Sequence, residues 1–328
     1  MPSSVTHSYF GIDVYNKLNK NIKKKLKYSL NNYKCFAQGP DPYYFYDLHL
    51  SRRAMKVYEI NSAMQHSKVN EHFISLINYI NDKNYYSNSE VLAYLYGQIC
   101  HYILDSTTHP YIIYNTGIYD EQNPNTYKYN GLHAEMEYYI DIYLIGKREE
   151  IPPRKYKVYK NVFNLSKFND ELYDTINNVI KRVYNYDNAS KIYYKSLNDM
   201  KKFFHIFNYD RFGIKKCVYK HMDFLCKNKL IRKEELSFCV DPNSKLHYLN
   251  ENKAVWYHPC NKKEKYNYSF FDLYDIAMNK AIYIIEYIDK SLKYKTIDDN
   301  ELGKILGNLD YGTGKEWILN LEYKHFKF

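Results

Sequence analysis

Four-residue steps separate His101, Asp105 and His109 in the stretch SNSEVLAYLYGQICHYILDSTTHPY, residues 87–111. Side chains so spaced stack along one face of successive helical turns. Two imidazoles around a carboxylate can ligate a divalent cation, and zinc suits such donors. In a chain with 12 His and 37 acids the string arises by chance roughly once in twenty sequences, so it needs companions. One stands in GLHAEME, residues 131–137, where His133 and Glu137 are again four apart. His247 and Glu251 share that spacing with no companion, and they gauge how readily the pair alone occurs.

The elements that must position these groups read as helices. Val91, Leu92, Leu95, Ile99, Ile103 and Leu104 recur at helical spacing, Ser87 and Glu90 stand as a capping box, and Pro110 is expected to end the helix. Gly39, Pro40 and Pro42 forbid regular helix around Asp41, which places that carboxylate in a tight loop. Residues 1–14 read as a short entry carrying His7. A basic amphipathic helix over 15–33 turns Ile22, Leu26 and Leu30 inward, and a helical pattern over 53–80 carries His66 and His72. Further helices are expected over 133–145, 163–200, 201–228 and 270–294, with an irregular stretch over 240–268. No sustained alternation suggests sheet, so the expected architecture is an all-α multi-helix bundle. We expect one helical domain over 1–292, with metal ligands in 1–145 and additional helices in 155–292, followed by a tail over 293–328 whose structure the pattern does not assign.

Net charge is +10 in 328 residues, with lysines concentrated in 20–27 and 201–233. This favours anionic partners such as a phospholipid surface or nucleic acid, although solvated helix faces give the same balance. Tyrosine reaches 41 residues, each of which wants a hydrogen-bond partner when buried. No run of about 18 apolar residues occurs and MPSSVTHSYF lacks the regions of a signal peptide, so a cytoplasmic location is expected. The six cysteines form no CxxC pair, consistent with a reducing interior.

Taken in order, THSYFG, AQGPDPYYFY, a histidine on the helix that follows, YGQICHYILDSTTHPY and GLHAEMEYYID make the chain resemble the zinc-dependent phospholipase C family, its intracellular-type bacterial members in particular. SFFDLYDIAM, residues 269–278, looks like a late helix of that fold. The resemblance implies an all-helical protein with two to three Zn²⁺ ions. Asp41, His66, His101 and Asp105 would hold one; His109, His133 and Glu137 a second; His7, the bridging Asp105 and the chain's amino end a third. His49 and His72 are rivals to His66. A metal-activated water would attack the phosphodiester of a phospholipid, with Asp41 as a candidate general base, releasing diacylglycerol and a phosphorylated head group. The aromatic run Tyr43 to Tyr46 could wall a quaternary ammonium group or simply pack the core. Peripheral contact with a membrane follows from such a substrate, nucleic acid is the lesser partner, and no obligate protein partner is inferred. The alternatives are a single-strand nuclease or phosphatase of related fold, and a catalytically inactive, zinc-stabilised interaction protein.

Overall fold

A computed structural model describes residues 4–49, 51–225, 237–238 and 241–327. Its first segment is helical rather than an irregular entry: α1 spans Ser4–Lys17 and buries Val5, His7, Phe10 and Val14. The basic stretch expected as one helix is divided into α2 (Lys20–Leu26) and α3 (Leu30–Phe36), because Asn19 caps a fresh start with its side chain and a short 3-10 turn intervenes. Asp41 then opens a 3-10 segment, Asp41–His49, broken where Asp47 and Leu48 take positive φ. The pattern over 53–80 likewise resolves into α4 (Arg52–His66) and α5 (Val69–Asp82), parted by Lys68 in the left-handed region.

α6, Ser89–Thr116, is the axis of the molecule. Nearly all of its side chains are buried, and α1, α3 and the later α7 and α12 pack around it. Each fully buried Leu or Ile contributes about 1.5–3 kcal/mol relative to exposure, so this helix is held rigidly in place. Its cap differs from the capping box expected. Asn88 accepts from the amides of Glu90 and Val91 at 3.0 and 3.1 Å, while Glu90 turns to Asn32 and to the Asn169 amide. Nor does Pro110 end the helix. Ser106, Thr107 and Thr108 return their hydroxyls to the carbonyls of Tyr102, Ile103 and Leu104, and the chain stays helical through the proline to Thr116.

Downstream come α7 (Leu132–Arg148), α8 (Val158–Asn161), α9 (Asp170–Tyr184), α10 (Ala189–Phe203), α11 (Ile214–Leu225), α12 (Phe270–Tyr294) and α13 (Asp299–Leu306). α12 begins on a Ser269/Asp272 capping box and covers the expected 270–294. The irregular stretch contains an antiparallel hairpin, β1 (Trp256–His258) with β2 (Asn261–Tyr266), in an otherwise all-α fold. The unassigned tail is ordered against the body: α13 lies on α5, where Asn70 bonds Gly303 and Asn308. No helix among the described residues is long and apolar enough to cross a membrane.

Candidate metal centre

α6 presents His101, Asp105 and His109 on one face, as the four-residue spacing requires, and two further elements bring their groups to it. α1 stacks the His7 ring on His101 at 4.3 Å between centroids. His7 Nε2 lies 3.1 Å from Asp105 Oδ1, and His101 Nε2 lies 3.0 Å from Asp105 Oδ2. α7 supplies His133 and Glu137, with Glu137 Oε1 at 3.1 Å from His133 Nε2 and 3.4 Å from His109 Nε2. His7, His101 and Asp105 thus make one group of converging donors, and His109, His133 and Glu137 make another, each within 4.8 Å. His109 Nδ1 stands 3.9 Å from Asp105 Oδ2, so the groups adjoin. Asp41 joins the first through a 3.8 Å approach to His101 Nε2.

The residues fit a metal on several grounds. Two atoms about 2.0–2.1 Å from one tetrahedral ion stand about 3.3 Å apart, close to the separations seen here. His7 Nδ1 is buried without a hydrogen-bond partner, and His101 Nε2, equally buried, has only the Asp105 carboxylate at 3.0 Å beside it. Deep burial of such atoms is costly unless something binds them. The other nitrogen of two rings is fixed by backbone, which aims the free one: His101 Nδ1 donates to the Ala37 carbonyl at 3.2 Å and His109 Nδ1 to the Tyr311 carbonyl at 3.0 Å. Gly39 makes the His101 position possible. Its φ is +55°, and a Cβ there would lie 2.2 Å from the His101 ring.

Without metal the acids and imidazoles charge one another. Burial raises the Asp105 carboxyl, but the imidazoles of His101, His109 and His7 outweigh it and hold it well below its usual range. Burial lowers His109, but Asp105 and Glu137 carry it up to about 9. His101 is raised in the same way by Asp105 and Asp41 against the effect of burial. Burial keeps Asp41 above its ordinary value, with His101 opposing. Metal uptake therefore displaces protons from the two raised imidazoles.

His66 belongs to neither group of converging donors, although it lines the same cleft. Its Nδ1 pairs with Asp310 and half of its side chain is exposed, while its neighbour Gln65 donates to Asp41 Oδ1 at 2.7 Å. The side chain of His49 and the amino end proposed for a third ion lie outside the described residues. His72 is walled in against Phe73 and Tyr184 with neither nitrogen hydrogen-bonded, and burial pushes it down to about 4. Of the aromatic run, Tyr43, Phe45 and Tyr46 are core, whereas Tyr44 lines the cleft over the centre.

His72 yields a test of its own. Above pH about 6.5 the ring is neutral in both states; between about 6.5 and 4 only the unfolded chain takes up the proton, so stability falls as pH falls. In chelated protein, wild type should lose about 2–3 kcal/mol more than His72→Phe between pH 7 and 4.5, read by urea unfolding. Parallel pH curves for the two proteins would refute this.

Three supports were not foreseen from sequence. Asp141 accepts from the amides of Val5 and Thr6 at 3.1 and 2.8 Å and from Thr6 Oγ1 at 2.7 Å, so α7 anchors the start of α1 next to His7. Its signal was present: Asp141 follows Glu137 by four residues on the same helix face. Gln65, an amide with no metal-ligand character, carries no sequence signal beside His66. The third support is a turn over 308–316. Tyr311 N donates to the Gln65 carbonyl at 3.1 Å, the Tyr311 carbonyl holds His109, and the Thr313 carbonyl is held by His258 Nε2 at 2.9 Å. Asp310 closes the turn by accepting from Gly312 and Thr313 amides.

No curated protein and no solved structure matches the chain. The family model described as zinc dependent phospholipase C matches residues 6–186, a span that contains His7, Asp41 and every donor from α6 and α7. With more than half of its length matched and its His, Asp and Glu donors gathered in an all-α frame, the chain belongs to the zinc-dependent phospholipase C family.

Proposed function

We propose that the protein is a phospholipase C that hydrolyses a phospholipid to diacylglycerol and a phosphorylated head group. The observation that carries this reading is that Asp105 of the first donor group and all three members of the second line one cleft of about 470 Å³, where they and Asp41 meet the apolar walls Tyr44, Tyr58, Ile113 and Ile118. That volume is in the range of small-molecule sites, and a charged base beside apolar walls suits an amphiphile with a phosphodiester. His7, His101 and Asp105, with Asp41 beside them, would hold one ion, and His109, His133 and Glu137 another. Zinc bound there would lower the pKa of a water toward about 7 and would neutralise phosphate oxygens.

The chain's own residues do the rest. Asp41, with its carboxyl kept above the ordinary value by burial, accepts the proton of the attacking water, and Gln65 fixes that carboxylate by its 2.7 Å hydrogen bond. The Tyr311 and Ala37 carbonyls keep His109 and His101 in the tautomer that leaves Nε2 directed at the centre. Tyr44 and Tyr58, edge to face at 5.6 Å, pack against the apolar part of the substrate.

Zinc-loaded protein should release diacylglycerol from phosphatidylcholine vesicles, lose the activity to a chelator and regain it with zinc. Intact lipid phosphate in the presence of fully loaded protein counts against the proposal, and cleavage of single-stranded DNA instead would favour the nuclease alternative.

A further inference from the structure

Helices at the surface of a soluble domain turn their apolar side inward. α11 does the reverse. Tyr219 and Asp223 face the body, where the Tyr219 hydroxyl donates to the Phe207 carbonyl at 3.0 Å, while Ile214, Val218 and Met222, at successive four-residue steps, are exposed. Phe212 just before the helix is 75% exposed and Phe224 near its end 84%. Ile206 is also exposed, and Lys215 reaches its carbonyl, which brings it beside the same helix. Several large apolar side chains exposed on and beside one short helix mark an interaction surface.

The charges beside it indicate the partner. Arg211, Lys215 and Lys220 fall within ten residues, and the single acid of α11, Asp223, is turned inward. Two copies of so basic a face would repel, whereas an anionic lipid surface complements both the apolar stripe and the cations. We infer that α11 is an interfacial helix that docks the protein on anionic phospholipid membranes. This rests on the phospholipid reading above by supplying the surface on which such a substrate resides, but binding is measured without hydrolysis.

The experiment is co-sedimentation of the zinc-loaded full chain with vesicles of phosphatidylcholine and phosphatidylglycerol at 3:1, and with phosphatidylcholine alone. Wild type should partition onto the anionic vesicles, and Val218→Glu combined with Phe224→Ser should weaken that partition by about tenfold or more, because apolar burial and attraction to anionic lipid together set interfacial affinity. The variant should retain its metal content and its cleavage of a monodisperse short-chain phosphatidylcholine. Unchanged partition overturns the inference, as does a wild-type dimer that the variant converts to monomer, since the face would then join two copies. Phe224→Trp alone should show a blue-shifted emission on anionic vesicles; no shift is equally contrary. Cleavage of the short-chain lipid without α11-dependent partition removes the docking role alone, and α11-dependent partition without cleavage removes the catalytic reading alone.

Discussion

Asp105→Asn should lose most of its bound zinc and lower hydrolysis by about 10²–10³-fold or more. Asp105 is the carboxylate that three imidazoles share: His7 at 3.1 Å, His101 at 3.0 Å and His109 at 3.9 Å. Asparagine keeps the shape and one acceptor oxygen but removes the negative charge, in a site only 3% exposed. Breaking one partner out of a buried charged set costs about 3–5 kcal/mol, and each 1.36 kcal/mol is a factor of ten in rate or binding. Chelated Asp105→Asn should also unfold at lower denaturant than chelated wild type, because its imidazoles lose the anion that compensates them. Wild-type zinc content in the variant would contradict the bridging role.

The second large effect is expected far outside the matched span. Gly314→Ala should weaken metal binding by about 10–100-fold, the usual cost of disturbing a partner that orients a ligand. Gly314 has φ +62°, and a Cβ there would sit 2.2 Å from the Ser106 carbonyl oxygen. That carbonyl is the one Pro110 cannot bond, so the glycine backbone enters the notch which the proline leaves in α6. A helix backbone cannot retreat, so the turn over 308–316 must move, and with it the Tyr311 carbonyl that aims His109. Alanine in this region of φ also costs roughly 1–2 kcal/mol by itself. Lys324→Ala, in the exposed tail, is the control. Titration of the chelated protein with zinc reads the effect, and equal affinity for Gly314→Ala and wild type would rule out the turn as a support.

What the sequence disclosed follows from what repeats along it. The spacing of His101, Asp105 and His109, the His133 and Glu137 pair, and the prolines around Asp41 are local patterns, and the resemblance ordered them into one site. Helix type and the buried stripe of α6 were legible for the same reason. Helix ends were less so, because their outcome depends on competing partners. Asn88 rather than Ser87 caps α6 once Glu90 is drawn to Asn32 and Asn169. Pro110 stays inside the helix because three hydroxyls and a distant glycine accommodate it.

Gln65 and His66 differ by one residue, about 100° around a helix, and no periodicity decides which of the two turns to Asp41. The Tyr311 carbonyl is a backbone group, so its contact with His109 across some two hundred residues leaves no trace in residue type. α11 has a clear amphipathic pattern, but a pattern alone does not say which side faces out.

The proposed hydrolysis requires both donor groups to hold metal. Zinc-edge anomalous diffraction from crystals of the zinc-loaded protein tests this most directly. We predict one peak among His7, His101 and Asp105 and another among His109, His133 and Glu137. A map with no peak at either place, from protein shown by elemental analysis to have been exposed to excess zinc, would contradict it.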